Sequence, residues 1–282
     1  MKKRVKILFI SILCCILSFG VSVKTASAQT PIISTTPKEF CLRASFYTTY
    51  YSSKDERKHN IKLASSSIND YFLDVGEEFS FNRTVGKRTE KRGYKKAVII
   101  LNGRYAEGVG GGVCQVSTTL YNAVLLSGLK VTEWHAHSLP VGYVAPSFDA
   151  MVNSGSADLR FVNNTSLPIV IKSSADDGVL KIEIYGERTR IKYIRKSVVL
   201  EEISPPEDQV IEDYLNEFPE LLKGEQKVIS YGKKGIKSNG YLIKQIGGKE
   251  VSVKLIRRDI YQPQAGKIVI GTAEPKEELI IE

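Results

Sequence analysis

The sequence predicts an α+β domain followed by a small all-β module, behind an export leader. Three observations carry that expectation. Two segments have helical apolar spacing, and one of them places Val116, Thr119, Leu120, Ala123 and Leu126 on a single face, among several runs that alternate like strands. Beyond Ser204-Pro205-Pro206 the helical spacing ends. There Gly224, Gly232, Gly235, Gly240, Gly247, Gly248, Gly266 and Gly271 punctuate alternating runs such as Val251 to Leu255. The length of 282 residues has room for about two domains.

At the start, Lys2, Lys3, Arg4 and Lys6 precede a mostly apolar run, Ile7 to Val23, and Ala26-Ser27-Ala28 fits a small-residue cleavage pattern. Residues 1–28 are expected to be a signal peptide, cleaved after Ala28, that exports the chain. Left uncut, the run is just long enough to anchor it in a membrane. The leader holds 5 of the 40 Lys and Arg and no acid, so its loss takes the formal charge from +9 to +4. Most of the basic excess therefore belongs to the leader, which argues against a nucleic-acid partner. Cys14 and Cys15 leave with it. Cys41 and Cys114 remain and could pair in an oxidising compartment, although the surroundings of Cys114 favour a reactive thiol.

Residues 29–41, rich in Thr, Pro and Ser, read as a linker, and the first domain as 42–190. Arg43 to Tyr51 suits a strand. Asn60 offers a cap for a helix with Ile61, Ala64, Ile68 and Phe72 on one face. Val75 to Glu78 turns the chain, Arg83 to Lys96 reads as a basic loop, Ala97 to Leu101 as a short buried strand and Asn102-Gly103 as a turn. Ser127-Gly128 stops the second helix, which is expected over 115–126. Ile169 to Lys172 is a strand, and so is the run in which Leu180, Ile182 and Ile184 alternate with Lys181, Glu183 and Tyr185. Ser204-Pro205-Pro206, in an acidic segment, reads as a domain boundary, and the second module is placed at 199–275. It holds no Cys and no His, so binding or spacing is its expected role.

Chemistry gathers around Cys114. Four glycines occupy the five positions 108 to 112, immediately ahead of the helix that Cys114 opens. A helix start carries unpaired N–H groups and partial positive charge, which favour a thiolate. The same N–H groups, that of Gln115 foremost, could hold an oxyanion. Gly112 and its neighbours let a substrate approach closely. A thiolate nucleophile wants an imidazole. His59 lies in a charged stretch and reads as surface. His135 and His137 follow Cys114 by 21 and 23 residues and share a face if that segment is extended. Asp149 or Asp158 could orient an imidazole. Ser117 and Thr118, in the first turn, either line the site or cap the helix. His135 and His137 with Cys114 or Asp149 are a thin zinc set, and the glycines lack the Gly-Lys-Ser/Thr ending of a phosphate loop. No metal or cofactor is expected.

Phe79-Ser80-Phe81-Asn82, Val85-Gly86, Gly93-Tyr94, Ala97, the run Gly110 to Ala123 (GGGVCQVSTTLYNA), His137-Ser138-Leu139-Pro140-Val141, Tyr143-Val144, Asp149-Ala150 and Asp158-Leu159 together resemble the VanW family, over residues 42 to 188. The resemblance implies a mixed α/β catalytic-type domain, association with vancomycin resistance, and a peptidoglycan L,D-transpeptidase that uses the motif cysteine, here Cys114. On that reading Cys114 forms a thioester with a stem-peptide carbonyl. His137 acts as base, with His135 as second candidate, and Asp149 orients the ring. Gly112, Gln115, Ser117, Thr118 and Ser138 lie on the substrate and oxyanion side. With water as acceptor the same site is a peptidase or carboxypeptidase. Val199 to Thr272 is similar to the five-glycine domain of bacterial surface proteins, which implies wall binding or spacing. The expected partners are peptidoglycan stem peptides and glycan, with the membrane met only through an uncleaved leader. A non-catalytic peptidoglycan-binding surface protein is the alternative. Trp134, Ala136, Ser147-Phe148 and Met151 stand where the family commonly has Arg, Pro, Gly and Thr, which bears on substrate detail more than on chemistry.

Overall fold

A computed structural model describes residues 40–274 except Asn102 and Asn216. The leader, its cleavage site and residues 29–39 lie outside the described residues. Strand β1 (Phe40–Thr49) opens the fold, so Phe40 and Cys41, read as linker, begin a strand. Helix α1 (Asp55–Ile68) starts ahead of the Asn60 cap expected from sequence, because Asp55 and Glu56 already complement the helix dipole. Asn60 is instead buried inside the helix. Its amide donates to the carbonyls of Lys95 and Gly111 at 2.8 and 3.0 Å, and its oxygen accepts the Lys95 N–H at 2.8 Å. Phe72 has left the helix for β2 (Tyr71–Leu73), where it is exposed.

The segment read as a turn and basic loop carries more order than expected. Strand β3 (Glu78–Ser80) leads into the short helix α2 (Phe81–Val85), capped by the Ser80 hydroxyl, which accepts the Arg83 N–H. Strands β4 (Lys96–Leu101) and β5 (Arg104–Val109) form a hairpin. Val98 and Leu101 are more than half exposed, so β4 is not a buried strand. Helix α3 (Val113–Ser127) ends at Gly128, whose φ of 76° is the left-handed stop read from sequence. Every residue of α3 except Cys114 and Leu126 is buried, which makes it the central rod of the domain.

Strands β6 (Lys130–Glu133), β7 (Arg160–Val162), β8 (Ile169–Asp176) and β9 (Val179–Glu187) complete the first module. The antiparallel sheet β1-β9-β8-β2 packs against α1 and α3, and β3-β7-β6 forms a smaller sheet. Leu180, Ile182 and Ile184 of β9 point into one core with Ile61, Ile68, Val116 and Leu120. Each such side chain, fully buried, contributes about 1.5–3 kcal/mol.

The regular elements of the second module are all strands among its described residues. Strands β10 (Ile191–Ile203), β11 (Gln209–Glu212), β12 (Gln226–Ser230), β13 (Gly235–Ile246), β14 (Lys249–Tyr261) and β15 (Lys267–Ile270) form the sheets β10-β13-β14 and β11-β15-β12. Strands β13 and β14 are long, 12 and 13 residues, and not the short runs expected. Strand β10 is continuous from Ile191, so the break between modules falls between β9 and β10 and the proline pair lies inside the second module. The modules share one compact unit. The Gln262 N–H donates to the Ser138 carbonyl and Gln264 Nε2 to the Gly103 carbonyl. Gly240 lets Ser147 approach: a Cβ there would lie 2.9 Å from the Ser147 carbonyl oxygen.

Candidate thiol–imidazole–carboxylate site

The glycine run is set by contact on both sides. Gly110 and Gly112 have φ of 87° and 107°, a region where L side chains are strained. A Cβ on Gly111 would lie 2.6 Å from the Val98 carbonyl oxygen, and one on Gly112 would lie 3.0 Å from Ile61 Cγ1. The loop is thus wedged between β4 and α1, and it delivers Cys114 to the first turn of α3.

Cys114 Sγ lies 3.3 Å from the Val152 carbonyl, to which the protonated thiol donates, and the His137 imidazole is the group that most favours its ionised form. His137 Nδ1 lies 2.7 Å from Asp149 Oδ2, which also accepts the His137 backbone N–H at 2.7 Å. With Nδ1 on the carboxylate, Nε2 is the ring atom left for the thiol. Asp149 is held in turn from the second module. Its Oδ1 accepts the Tyr261 hydroxyl at 2.5 Å and Arg257 Nη2 at 3.1 Å, and its carbonyl accepts Arg257 Nη1. Arg257 also donates to Asp259 at 3.0 and 3.1 Å and stacks over Trp134 at 4.2 Å. The Asp149 and Arg257 side chains are 1% and 0% exposed.

These contacts decide the charges. Burial alone would keep Cys114 neutral, but the hydrogen bond and charge of His137, with help from Arg88, bring the thiol below its ordinary range. Burial likewise opposes charge on His137, and the Asp149 and Cys114 contacts outweigh it, raising the imidazole to about 9. Asp149 is brought down to about 2 against its burial, by His137, Arg257 and Tyr261. The site therefore favours a thiolate–imidazolium pair between the lowered thiol value and about 9. Iodoacetamide should alkylate Cys114 well below the ordinary thiol pKa of about 8.5. In His137→Gln the rate profile should shift to higher pH, because burial of the thiol then acts unopposed by the imidazolium. Peptide mapping across a pH series checks this, and an unshifted profile would contradict the pairing.

Other residues fall elsewhere than expected. Residues 134–137 lie outside any strand, and the two imidazoles have different partners, Glu133 for His135 and Asp149 for His137. His135 Nε2 is 3.0 Å from Glu133 Oε1, and among the described residues no three His, Cys, Asp or Glu groups gather as a metal set. The Gln115 N–H, expected as oxyanion donor, is taken by the Gly112 carbonyl at 2.9 Å. The buried Gln115 side chain ties Arg57 to Thr48 and Thr49. Ser117 and Thr118 are fully buried and do not line the site. Ser117 Oγ donates to the Ala150 carbonyl at 2.6 Å, and Thr118 Oγ1 accepts the Ala150 N–H at 2.9 Å, so they clamp the residue after Asp149. Asp158 accepts from the Ser80 hydroxyl and the Asn82 N–H, with no contact to an imidazole. His59 is exposed, as read, and Cys41 and Cys114 are both free thiols. Gly112, Cys114, His137, Ser138 and Tyr143 line a cavity of about 840 Å³ under the β4–β5 hairpin. Burial pushes the Tyr143 phenol up, so it stays protonated.

Fold and site together define a two-module protein whose thiol–imidazole–carboxylate chain is completed by a strand of the second module. The chain carries a VanW-like domain followed by a G5 domain: residues 56–185 match the VanW like protein family and residues 194–273 the G5 domain. YoaR of Bacillus subtilis (strain 168), an uncharacterized protein, is 42% identical over 151 residues, 53% of this chain and 50% of its own. The vancomycin B-type resistance protein VanW of Enterococcus faecalis (strain ATCC 700802 / V583) is 26% identical over 159 residues, 51% of this chain and 58% of its own. The chain thus spans about half the length of these relatives. Among solved structures, the IgA1 protease G5 domain aligns at 21% identity over 32% of this chain and 100% of its own, with a TM-score of 0.19. HP0197-G5 aligns at 20% identity over 29% of this chain and 100% of its own, with a TM-score of 0.16.

Proposed function

We propose that this protein is an exported, cell-wall enzyme performing peptidoglycan L,D-transpeptidase-type acyl transfer through a thioester on Cys114. One observation carries the reading: Cys114 and the His137 imidazole, which is hydrogen-bonded to buried Asp149, line one cavity of substrate size. The thiolate attacks a donor carbonyl carbon and a tetrahedral oxyanion forms. Val113 and Gln115 have turned their N–H groups back on the glycine loop, which leaves the Cys114 N–H as the first-turn donor for that oxygen. The C–N bond breaks, the His137 imidazolium protonates the leaving amine, and the thioester remains. An acceptor amine then attacks, His137 takes its proton, and the thiolate leaves. Asp149 stays ionised throughout and holds the ring. Water in place of the amine gives hydrolysis. The resistance named in one relative agrees with a wall substrate, and the G5 module is suited to holding the enzyme at the wall.

Incubating the chain from Gln29 onward, and its Cys114→Ala form, with tetrapeptide muropeptides tests this by mass spectrometry. Cross-linked dimers that have lost one terminal residue, absent for Cys114→Ala, are expected. Shortened stems without dimers would make the protein a carboxypeptidase. Wall binding without turnover would overturn the enzyme reading.

A further inference from the structure

The cavity beside Cys114 has a positive charge balance that the Cys114 thiolate alone does not account for. Arg57 and Arg88 line it, and no Asp or Glu does among the described residues. Both guanidiniums are held by neutral groups. Arg57 donates to Ser53 Oγ and Gln115 Oε1, each at 2.8 Å, and Arg88 donates to Asn82 Oδ1 at 2.7 Å and to the Gly86 carbonyl at 3.0 Å. Neither has a carboxylate within ion-pair distance among the described residues. Each packs against the glycine loop. A Cβ on Gly112 would lie 3.0 Å from Arg57 Cγ, and one on Gly110 would lie 2.8 Å from Arg88 Cβ. The two arginine stems therefore flank the loop that ends at the nucleophile. A half-buried guanidinium with no carboxylate in ion-pair contact, and with donors left over from its neutral contacts, is a seat for a planar anion.

The geometry points to Arg57 and Arg88 as a carboxylate subsite beside Cys114, so that the acyl donor is a peptide whose free C-terminal carboxylate lies next to the bond that Cys114 attacks. This rests on Cys114 being the nucleophile. It explains how an amide deep in a cavity is chosen over the many internal amides of a wall polymer: only a chain end brings the charge. The apolar wall of Val98, Ile99 and Ile260 takes the rest of the peptide.

Two alkylating agents of similar size and equal leaving group separate this subsite from the fate of the enzyme reading. Iodoacetate carries a carboxylate and iodoacetamide does not. Both react with the thiolate, so the ratio of their rates on Cys114 is insensitive to the thiol pKa. That ratio is expected to fall roughly tenfold in Arg57→Gln and in Arg88→Gln, and to be largely kept in Arg88→Lys, which preserves the charge and the stem. N-acetyl-D-alanine should protect the parent from iodoacetate with saturation, and N-acetyl-D-alaninamide should not. A ratio unchanged in both Gln variants, or equal protection by acid and amide, overturns the subsite. In the muropeptide assay, tetrapeptide stems ending in a free acid should be used in preference to the carboxamide, chiefly through KM, and both Gln variants should lose that preference. Equal use of acid and amide, with alkylation selectivity intact, would assign the arginines to an internal carboxylate of the stem and overturn the chain-end assignment. Intact selectivity and protection without turnover of any stem would uphold the subsite and overturn the acyl-transfer reading.

Discussion

Replacing Asp149 by Asn is expected to lower kcat for acyl transfer by on the order of 10⁴-fold, with a much smaller change in KM. Asp149 Oδ2 accepts both the ring Nδ1 and the backbone N–H of His137, so it fixes the tautomer and the orientation of the imidazole together. An amide at this position can turn an NH₂ group toward Nδ1, which moves the ring proton to the side facing Cys114 and leaves no base for the thiol. The charge argument runs the same way. Asp149 helps raise His137 to about 9; without the carboxylate the imidazolium loses its proton at lower pH, and the Cys114 thiolate loses its counter-ion. Alkylation of Asp149→Asn by iodoacetamide should therefore slow at mildly acidic pH, and its pH profile should move up. Substrate contacts made by the cavity wall are untouched, which is why KM should change little. A kcat within tenfold of the parent, with an unshifted alkylation profile, would remove Asp149 from the mechanism.

The parts of this site that the sequence made legible are those where residue type alone restricts the chemistry. A cysteine after a glycine run at a helix start has few roles, and a chain with three His offers few partners for it. The sequence ranks His137 ahead of His135, but the partners that separate them, Asp149 for one ring and Glu133 for the other, show only in the structure. Asn60 misled for a related reason. Its amide suits a helix cap and equally suits a buried clamp on the glycine loop, and only the loop's position decides. Arg257 and Tyr261 left no signal at all. On β14 the buried positions near the end are Arg257, Asp259 and Tyr261, while Ile260 is exposed, so the polarity of the strand is inverted relative to a half-buried strand. Their partner, Asp149, is 108 and 112 residues away. The expectation that a module without Cys or His only binds or spaces overlooked that it can also position a residue of its neighbour.

That inversion makes Arg257→Met the change with the largest expected effect on stability. Arg257, Asp149 and Asp259 are almost wholly buried, and His137 nearly so. With His137 protonated, the two cations of this set offset its two carboxylates, and the Cys114 thiolate adds one negative charge beside them. Removing Arg257 leaves two carboxylates against one imidazolium, and breaking a buried pair in this way costs about 3–5 kcal/mol, a fall in Tm on the order of 10 °C for a chain of this size. The sign with pH follows from Asp149, whose folded value is lowered to about 2 from 3.8. Its contribution is complete above the unfolded value and is lost as pH falls through the folded one. Loss of the Arg257 charge raises the folded value, so acid unfolding of Arg257→Met should begin at higher pH than in the parent. The double change Arg257→Met with Asp259→Leu restores the charge balance and fills the site with apolar atoms, and it should recover more than half of the lost stability. Thermal and acid titrations of the parent, the single and the double variant test this. A single variant as stable as the parent would mean that the two modules are not joined through this cluster. A double variant no better than the single would mean that the loss is one of packing against Trp134 and not of charge.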